Sequence, residues 1–210
     1  MPRPVWDLSE HAADVGRLLA AAQDQVGRDG EQLLVDLREK DDETFDHALR
    51  AAVFTAELVV DLRLTEAEGV LAVRAALFHD VGKIGIPDEI LKHPGKLDPG
   101  EWAVMQGHAE SGEQLLLGLD ELAELAEVVG AHHESWDGGG YADGLQGADI
   151  PLAARVVSVA DAVDAMRSAR RYRDGNLTVD GVTDVLEERA GVQWDPDLVP
   201  VAVALLHRSA

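Results

Sequence analysis

The chain contains no cysteine and few aromatic side chains, and each shortage restricts what the protein can be. The absence of cysteine among 210 residues excludes disulfide frameworks and thiolate metal sites, and it makes the cytoplasm the expected compartment. Aromatic residues account for only 4% of the chain, whereas hydrophobic residues account for 46%. Alanine, leucine and valine must therefore fill the core, and that mixture favours helices.

Positive charge is also scarce, because 18 lysines and arginines face 40 aspartates and glutamates, which gives a formal net charge of −22. Such a balance argues against a basic surface that binds a nucleic-acid polymer or an anionic membrane. The apolar runs fall short of the about 20 residues that a membrane-spanning helix needs, and we expect no signal peptide. An anionic ligand would therefore need a local concentration of positive charge.

Helical periodicity runs through almost the whole sequence. Thr65-x-x-Glu68 has the pattern of a capping box, and Asp98-Pro99 has the pattern of a helix start. The stretch from Gly27 to Gly30 predicts a break, with a further helical stretch after it, and residues 82–87 predict a loop. The other predicted helices cover about 9–26, 42–62, 65–79, 98–108, 120–134, 151–168, 178–190 and 196–208.

The predicted fold class is all-α, with one helical bundle over residues 41–210 and a short helical N-terminal extension over residues 1–40. We expect the extension to complete the core, and dimerisation or a lid over the site are the alternatives. Trp102 is also expected in the core, at helical spacing with other apolar residues.

Five of the eight histidines lie near acidic residues in patterns that suit metal binding. Glu43 and His47 are four residues apart in a predicted helix, so their side chains share one face. His79 and Asp80 are adjacent, and they can serve neighbouring ions if the helix ends there. The full set of candidate ligands is Glu43, His47, His79, Asp80, His108, His132, His133 and Asp161.

This donor set combines imidazole and carboxylate without thiolate. It suits iron, manganese, zinc, cobalt or nickel better than a structural zinc site or a calcium site. Eight potential ligands exceed what one ion needs, so we expect two or three ions. A hydroxide that bridges two such ions is a ready nucleophile at neutral pH.

Five short motifs follow one another along the chain: His79-Asp80-Val-Gly-Lys83, Ile86-Pro-Asp88, Pro94-Gly-Lys-Leu97, His132-His-Glu-x-Trp-Asp-Gly-x-Gly-Tyr141 and Asp161-x2-Asp164-Ala. The series resembles the HD-GYP branch of the HD-domain metal phosphohydrolases and spans residues from about 43 to 200. The resemblance implies a single HD-domain helical bundle with two or three metal ions, iron or manganese above all. It also implies hydrolysis of the bacterial messenger cyclic di-GMP to linear pGpG, with further hydrolysis to GMP left open.

The resemblance assigns roles to single residues. The eight candidate ligands named above match the family's metal ligands, with Glu43 deciding between two ions and three. Lys83 is expected against the metal-bound phosphate, Tyr141 in the Gly-Tyr-Pro loop, and Arg170 and Arg173 on the substrate phosphates. Asp164 shares a helical face with Asp161, and we expect it to orient Lys83, to protonate the leaving oxygen, or to form an ordinary ion pair.

Two departures from the family pattern affect substrate and partners more than catalysis. Ala142 replaces the proline of the Gly-Tyr-Pro motif, and Arg171 replaces a proline downstream. Two alternatives to cyclic di-GMP hydrolysis therefore stay open. One is an effector that binds a cyclic dinucleotide without turnover, and the other is a phosphohydrolase of a different cyclic dinucleotide or nucleotide. A homodimer and signalling proteins are candidate partners.

Overall fold

The structure is a computed structural model that describes residues 8–168 and 177–208 of the chain. Within those residues it contains helices and no extended strand, which confirms the predicted all-α class. The α-helices are α1 Leu8–Asp24, α2 Gly27–Lys40, α3 Asp42–Asp61, α4 Glu66–Phe78, α5 Asp88–Leu91, α6 Pro99–Gln106, α7 His108–Leu117, α8 Ala126–Gly130, α9 Leu152–Arg167, α10 Val179–Arg189 and α11 Val199–Arg208. Short 3-10 turns cover Val81–Gly85, Ala123–Leu125 and Gly147–Asp149.

The helix starts follow local capping chemistry. Thr65 and Glu68 form the predicted capping box at the start of α4, and Asp98 forms another with Glu101 at the start of α6. Asp41 caps α3, where its carboxylate accepts a hydrogen bond from the Thr44 backbone N–H at 3.0 Å. The cap side chains accept hydrogen bonds from backbone N–H groups of the first turn, which have no partner within the helix. Cap residues in the sequence therefore predict the helix starts correctly at these positions.

Three boundaries differ from the prediction. The expected break between two helices is present but lies earlier, at residues 25–26, because α2 begins at Gly27 and Gly30 lies buried within it. A Cβ on Gly30 would lie 2.9 Å from the Val26 side chain and 3.1 Å from Phe78, so this glycine serves close packing. The helix expected over 98–108 is two helices that meet at Gly107. The stretch expected as helix over 120–134 is helical only over 123–130.

Helices α3, α4 and α9 pack against one another, and α1 packs against α4. Leu18, Ala22 and Val26 belong to the same buried cluster as Val59 and Val73. The described part of the N-terminal segment therefore packs into the core. No helix among the described residues is long and apolar enough to cross a membrane.

Candidate metal centre

The candidate ligands converge because several helices begin or end at one place. Helix α4 ends at Phe78, so His79 and Asp80 lie at its C-terminus, and α7 begins at His108. His132 and His133 follow the end of α8, while α3 and α9 contribute one further ligand each, His47 and Asp161. Adjacent ligands can point to one centre here, because the regular helical rotation of about 100° per residue stops at a helix end.

Three of the histidines are fixed in one tautomer by the backbone. In His79, His108 and His132 the ring Nδ1 donates a hydrogen bond to a carbonyl three residues earlier. The acceptors are Ala76 at 2.7 Å, Met105 at 2.7 Å and Val129 at 2.6 Å. These carbonyls are available because they lie in the last turn of a helix. The Nε2 atom of each ring therefore carries the lone pair, which is the arrangement of metal-ligating histidines.

These lone pairs meet in the interior. The Nε2 atoms of His108 and His132 lie 3.3 Å apart. Burial keeps both rings neutral, since it lowers the pKa of His132 well below its usual value and lowers the pKa of His108 to about 3. The Nε2 of His79 is buried without a hydrogen-bond partner. Facing lone pairs in a dry interior are unfavourable unless a cation lies against them, so the residues fit a metal site.

The donors form two groups joined by one carboxylate. Ligand atoms of His47, His79 and Asp80 lie within 4.8 Å of one another, and those of His108, His132 and His133 do the same. One oxygen of Asp80 is 3.3 Å from His79 Nε2, and the other is 3.4 Å from His108 Nε2. Asp80 can therefore contribute to a metal ion in each group.

Asp161 completes the side of the centre near α3. Its Oδ1 lies 3.0 Å from His47 Nε2 and 4.0 Å from His79 Nε2. Burial raises the pKa of Asp161, but hydrogen bonding and the charge of His47 outweigh burial, and the pKa lies well below its usual value. Asp161 is therefore an ionised donor, as a metal ligand must be.

Asp164 does not occupy the expected position beside Lys83. Its Oδ2 accepts a hydrogen bond from His47 Nδ1 at 2.7 Å, and its Oδ1 accepts one from Arg50 Nε at 2.7 Å. Lys83 instead donates to Asp80 Oδ2 at 2.7 Å. Burial opposes ionisation, but these partners lower the pKa of Asp164 to about 2, and the carboxylate forms an ion pair with Arg50, the third of the expected roles. This contact allows Asp164 to orient His47.

Sequence reasoning missed Arg50 and Glu134. Arg50 lies three residues after His47 in α3, and that spacing was the available signal. Glu134 is buried, and its Oε1 accepts hydrogen bonds from the backbone N–H groups of Asp143 at 2.7 Å and Gly144 at 2.9 Å. The glutamate thereby closes the glycine-rich loop beside His133.

Two glycines of the motifs are required by close approach. A Cβ on Gly82 would lie 2.0 Å from the His108 carbonyl oxygen, and one on Gly140 would lie 2.5 Å from the His133 carbonyl oxygen. Neither neighbour can move without displacing a ligand. The glycines in these motifs therefore allow the backbone to approach the histidines.

A pocket of about 550 Å³ opens onto this centre. Glu43, Lys83 and Tyr141 line it, and the Tyr141 ring lies 4.9 Å from the His133 ring. Glu43 lines the pocket and is not in either donor group of the described residues.

Trp102 also lines the pocket and is 49% exposed, so its expected place in the core is wrong. Arg170, Arg171 and Arg173 lie outside the described residues.

An all-α bundle with buried histidines and aspartates at its helix ends defines a helical metal-binding domain. The HD domain family matches residues 32–198, and the chain belongs to that family, in its HD-GYP branch. The match begins within the segment that we expected to precede the domain.

The curated relatives are bacterial phosphodiesterases. The chain is 40% identical over 154 residues to the "3'3'-cGAMP-specific phosphodiesterase 3" of Vibrio cholerae, an alignment that covers 73% of this chain and 33% of that protein. It is 36% identical over 206 residues to a V. cholerae "Cyclic di-GMP phosphodiesterase", covering 89% of this chain and 42% of that protein. The chain thus spans about a third to two fifths of these relatives' length.

Solved structures share the fold. The protein Bd1817 of Bdellovibrio bacteriovorus, described as an HD-GYP-type protein, aligns with a TM-score of 0.63 and 20% identity. That alignment covers 78% of this chain and 52% of Bd1817. At this level of identity the likeness concerns the fold alone.

Proposed function

We propose that this chain is a metal-dependent phosphodiesterase that hydrolyses cyclic di-GMP to linear pGpG, with GMP as the alternative end product. The observation that carries the proposal is the position of Asp80, with one oxygen toward each of two donor groups at the base of a pocket. Bound ions would supply Lewis acidity toward a phosphate oxygen and would activate water at neutral pH. Iron or manganese suits the imidazole and carboxylate donors.

The chain's own residues hold the substrate in this proposal. Lys83 places its ammonium group 2.7 Å from Asp80 Oδ2, where it can neutralise a non-bridging phosphate oxygen. Tyr141 packs beside His133 and borders the pocket, so it can orient the ribose or a base. We assign Arg170 and Arg173 to the second phosphate, because guanidinium groups bind phosphate through two hydrogen bonds.

The local charge explains how an acidic protein attracts an anion. Bound divalent ions among largely neutral imidazoles would, together with Lys83, make one positive site on a chain of net charge −22. A small anionic substrate fits such a site. We also propose that the protein acts in the cytoplasm. Its proposed assembly is a homodimer that contacts signalling proteins.

A second substrate has support from the relatives. The proteins that align at 40% and 39% identity are named 3'3'-cGAMP-specific phosphodiesterases. A mixed guanine–adenine cyclic dinucleotide is therefore the second candidate. The alternative of an effector without turnover has less support, because both donor groups and Asp80 are present.

The test is to purify the protein anaerobically, load it with Fe²⁺ or Mn²⁺, and quantify bound metal. Cyclic di-GMP, 3'3'-cGAMP and cyclic di-AMP are then followed separately by chromatography, with Asp80→Ala as the control. We expect turnover of cyclic di-GMP that Asp80→Ala abolishes. Faster turnover of 3'3'-cGAMP would identify the second candidate, and binding without turnover under either metal would refute the phosphodiesterase.

A further inference from the structure

Part of the pocket lining is apolar. Leu97, Trp102 and Met105 form this part, next to Ile90 and Leu91 of α5. Trp102 is 49% exposed, although an indole gains more from burial than most side chains. Chemistry at phosphorus requires charged and polar groups, and it gives no reason for a half-exposed tryptophan in this pocket.

This apolar part of the lining is held in a fixed position relative to the ligands. Helix α6 begins with a complete capping box in which Asp98 accepts hydrogen bonds from the Gly100 N–H at 2.7 Å and the Glu101 N–H at 2.9 Å. At its other end, the Met105 carbonyl accepts the hydrogen bond from His108 Nδ1 at 2.7 Å. Trp102 lies three residues before Met105, on the same helical face. His108 and the Trp102 indole are thus less than two helical turns apart, so their relative position is fixed.

Helix α6 contributes no buried residue to the core. Its sequence nevertheless places Trp102, Ala103, Val104 and Met105 in one apolar run. Core packing therefore does not explain why the helix carries a tryptophan. Contact with a ligand in the pocket does explain the tryptophan, because a bound ligand would cover the exposed indole.

We propose that Trp102 is a stacking site for a nucleobase of the substrate. The proposal rests on the proposed function, because it requires a ligand that places a phosphate at the metal centre and a flat base within reach of α6. The pocket volume of about 550 Å³ is in the range of sites for ligands of this size. Stacking on an aromatic ring contributes roughly tenfold to a hundredfold in affinity for each base, and it tolerates any base.

The test compares Trp102→Ala, Trp102→Phe and the matched control Val104→Ala. Val104 is also exposed on α6, at 44%, and is not part of the pocket lining. With cyclic di-GMP as substrate, we expect Trp102→Ala to raise KM by about tenfold or more while kcat changes by less than about threefold. Trp102→Phe should retain most of the affinity, and Val104→Ala should match the native protein. An unchanged KM in Trp102→Ala would overturn the stacking site and leave the phosphodiesterase intact.

A binding measurement separates this proposal from the proposed function. The intrinsic fluorescence of the metal-loaded protein is titrated with cyclic di-GMP and, as a probe without a base, with inorganic phosphate. We expect quenching by cyclic di-GMP, no quenching by phosphate, and loss of the quenched signal in Trp102→Phe. If the native protein turns over no cyclic dinucleotide, the proposed function fails. The quenching experiment still shows whether a nucleobase stacks on Trp102. Quenching that persists in Trp102→Phe would overturn it.

Discussion

Asp164 and His47 are 117 positions apart in the chain, yet Asp164 Oδ2 accepts a hydrogen bond from His47 Nδ1 at 2.7 Å. The same carboxylate is held by Arg50 and by the Ser168 hydroxyl. A carboxylate on the far nitrogen of a ligating histidine fixes the ring and raises its basicity.

We expect Asp164→Asn to weaken metal binding by about 10- to 100-fold, because the amide holds His47 less firmly and removes a negative charge. Titration with Mn²⁺, followed by metal analysis of the equilibrated protein, measures the change. Asp180→Asn on the exposed start of α10 is the matched control and should bind metal as the native protein does. Native affinity in Asp164→Asn would contradict the orienting role.

The number of ions depends on Glu43, which lies one helical turn before His47 and lines the same pocket. We expect the anaerobically loaded protein to contain two or three ions per chain and, for a native content of three, Glu43→Gln to contain close to two. Metal analysis by mass spectrometry gives both numbers. A native content of two would remove Glu43 from the ligand set.

Metal removal should destabilise the fold, because it leaves the facing lone pairs of His108 and His132 and the buried Nε2 of His79 without a metal ion against them. An ion at 100 times its dissociation constant stabilises the native state by about 2.7 kcal/mol. For a chain of this size we therefore expect a chelator to lower Tm by about 5–10 °C. Calorimetry before and after addition of Mn²⁺ checks this, and Asp80→Asn should lose most of the shift. Equal Tm values with and without metal would contradict the site.

The loop that carries Tyr141 depends on Gly140. A Cβ there would lie 2.3 Å from the Ser135 backbone nitrogen, so Gly140→Ala forces the loop away from His133. We expect a loss of about 1–3 kcal/mol in the free energy of unfolding, together with weaker substrate binding. Gly16→Ala is the matched control, since nothing lies within 4 Å of its Cβ position in α1, and it should stabilise by about 0.5–1 kcal/mol. Urea denaturation measures both, and equal stability of the two variants would be inconsistent with the close approach.

The buried ion pair between Arg155 and Asp195 joins α9 to the segment before α11. Arg155 Nη1 lies 2.6 Å from Asp195 Oδ2, and the Asp195 side chain is only 3% exposed. Arg155→Met leaves that charge buried, and we expect a loss of about 3–5 kcal/mol in the free energy of unfolding.

The matched control for this pair is Arg38→Met. Arg38 pairs with Asp42 on the surface, where the side chains are 66% and 80% exposed, so the loss should stay below about 1 kcal/mol. Chemical denaturation of both variants gives the comparison. A similar loss in the two variants would show that burial of Asp195 is not the cause.

The sequence by itself determined the helical class, the starts of α4 and α6, and the histidines and aspartates at the centre. These features depend on groups within four residues of each other, such as the capping box of Thr65 and Glu68 or the backbone bonds of the ring nitrogens. Only the tertiary structure decided the partner of Asp164, the exposure of Trp102 and the continuation of α2 through Gly30. Each of these depends on which distant helix packs against the residue. Periodicity in the sequence predicts which side chains share one face of a helix. Which of those side chains are buried, and which distant residue each one contacts, depends on the part of the protein that packs against that face.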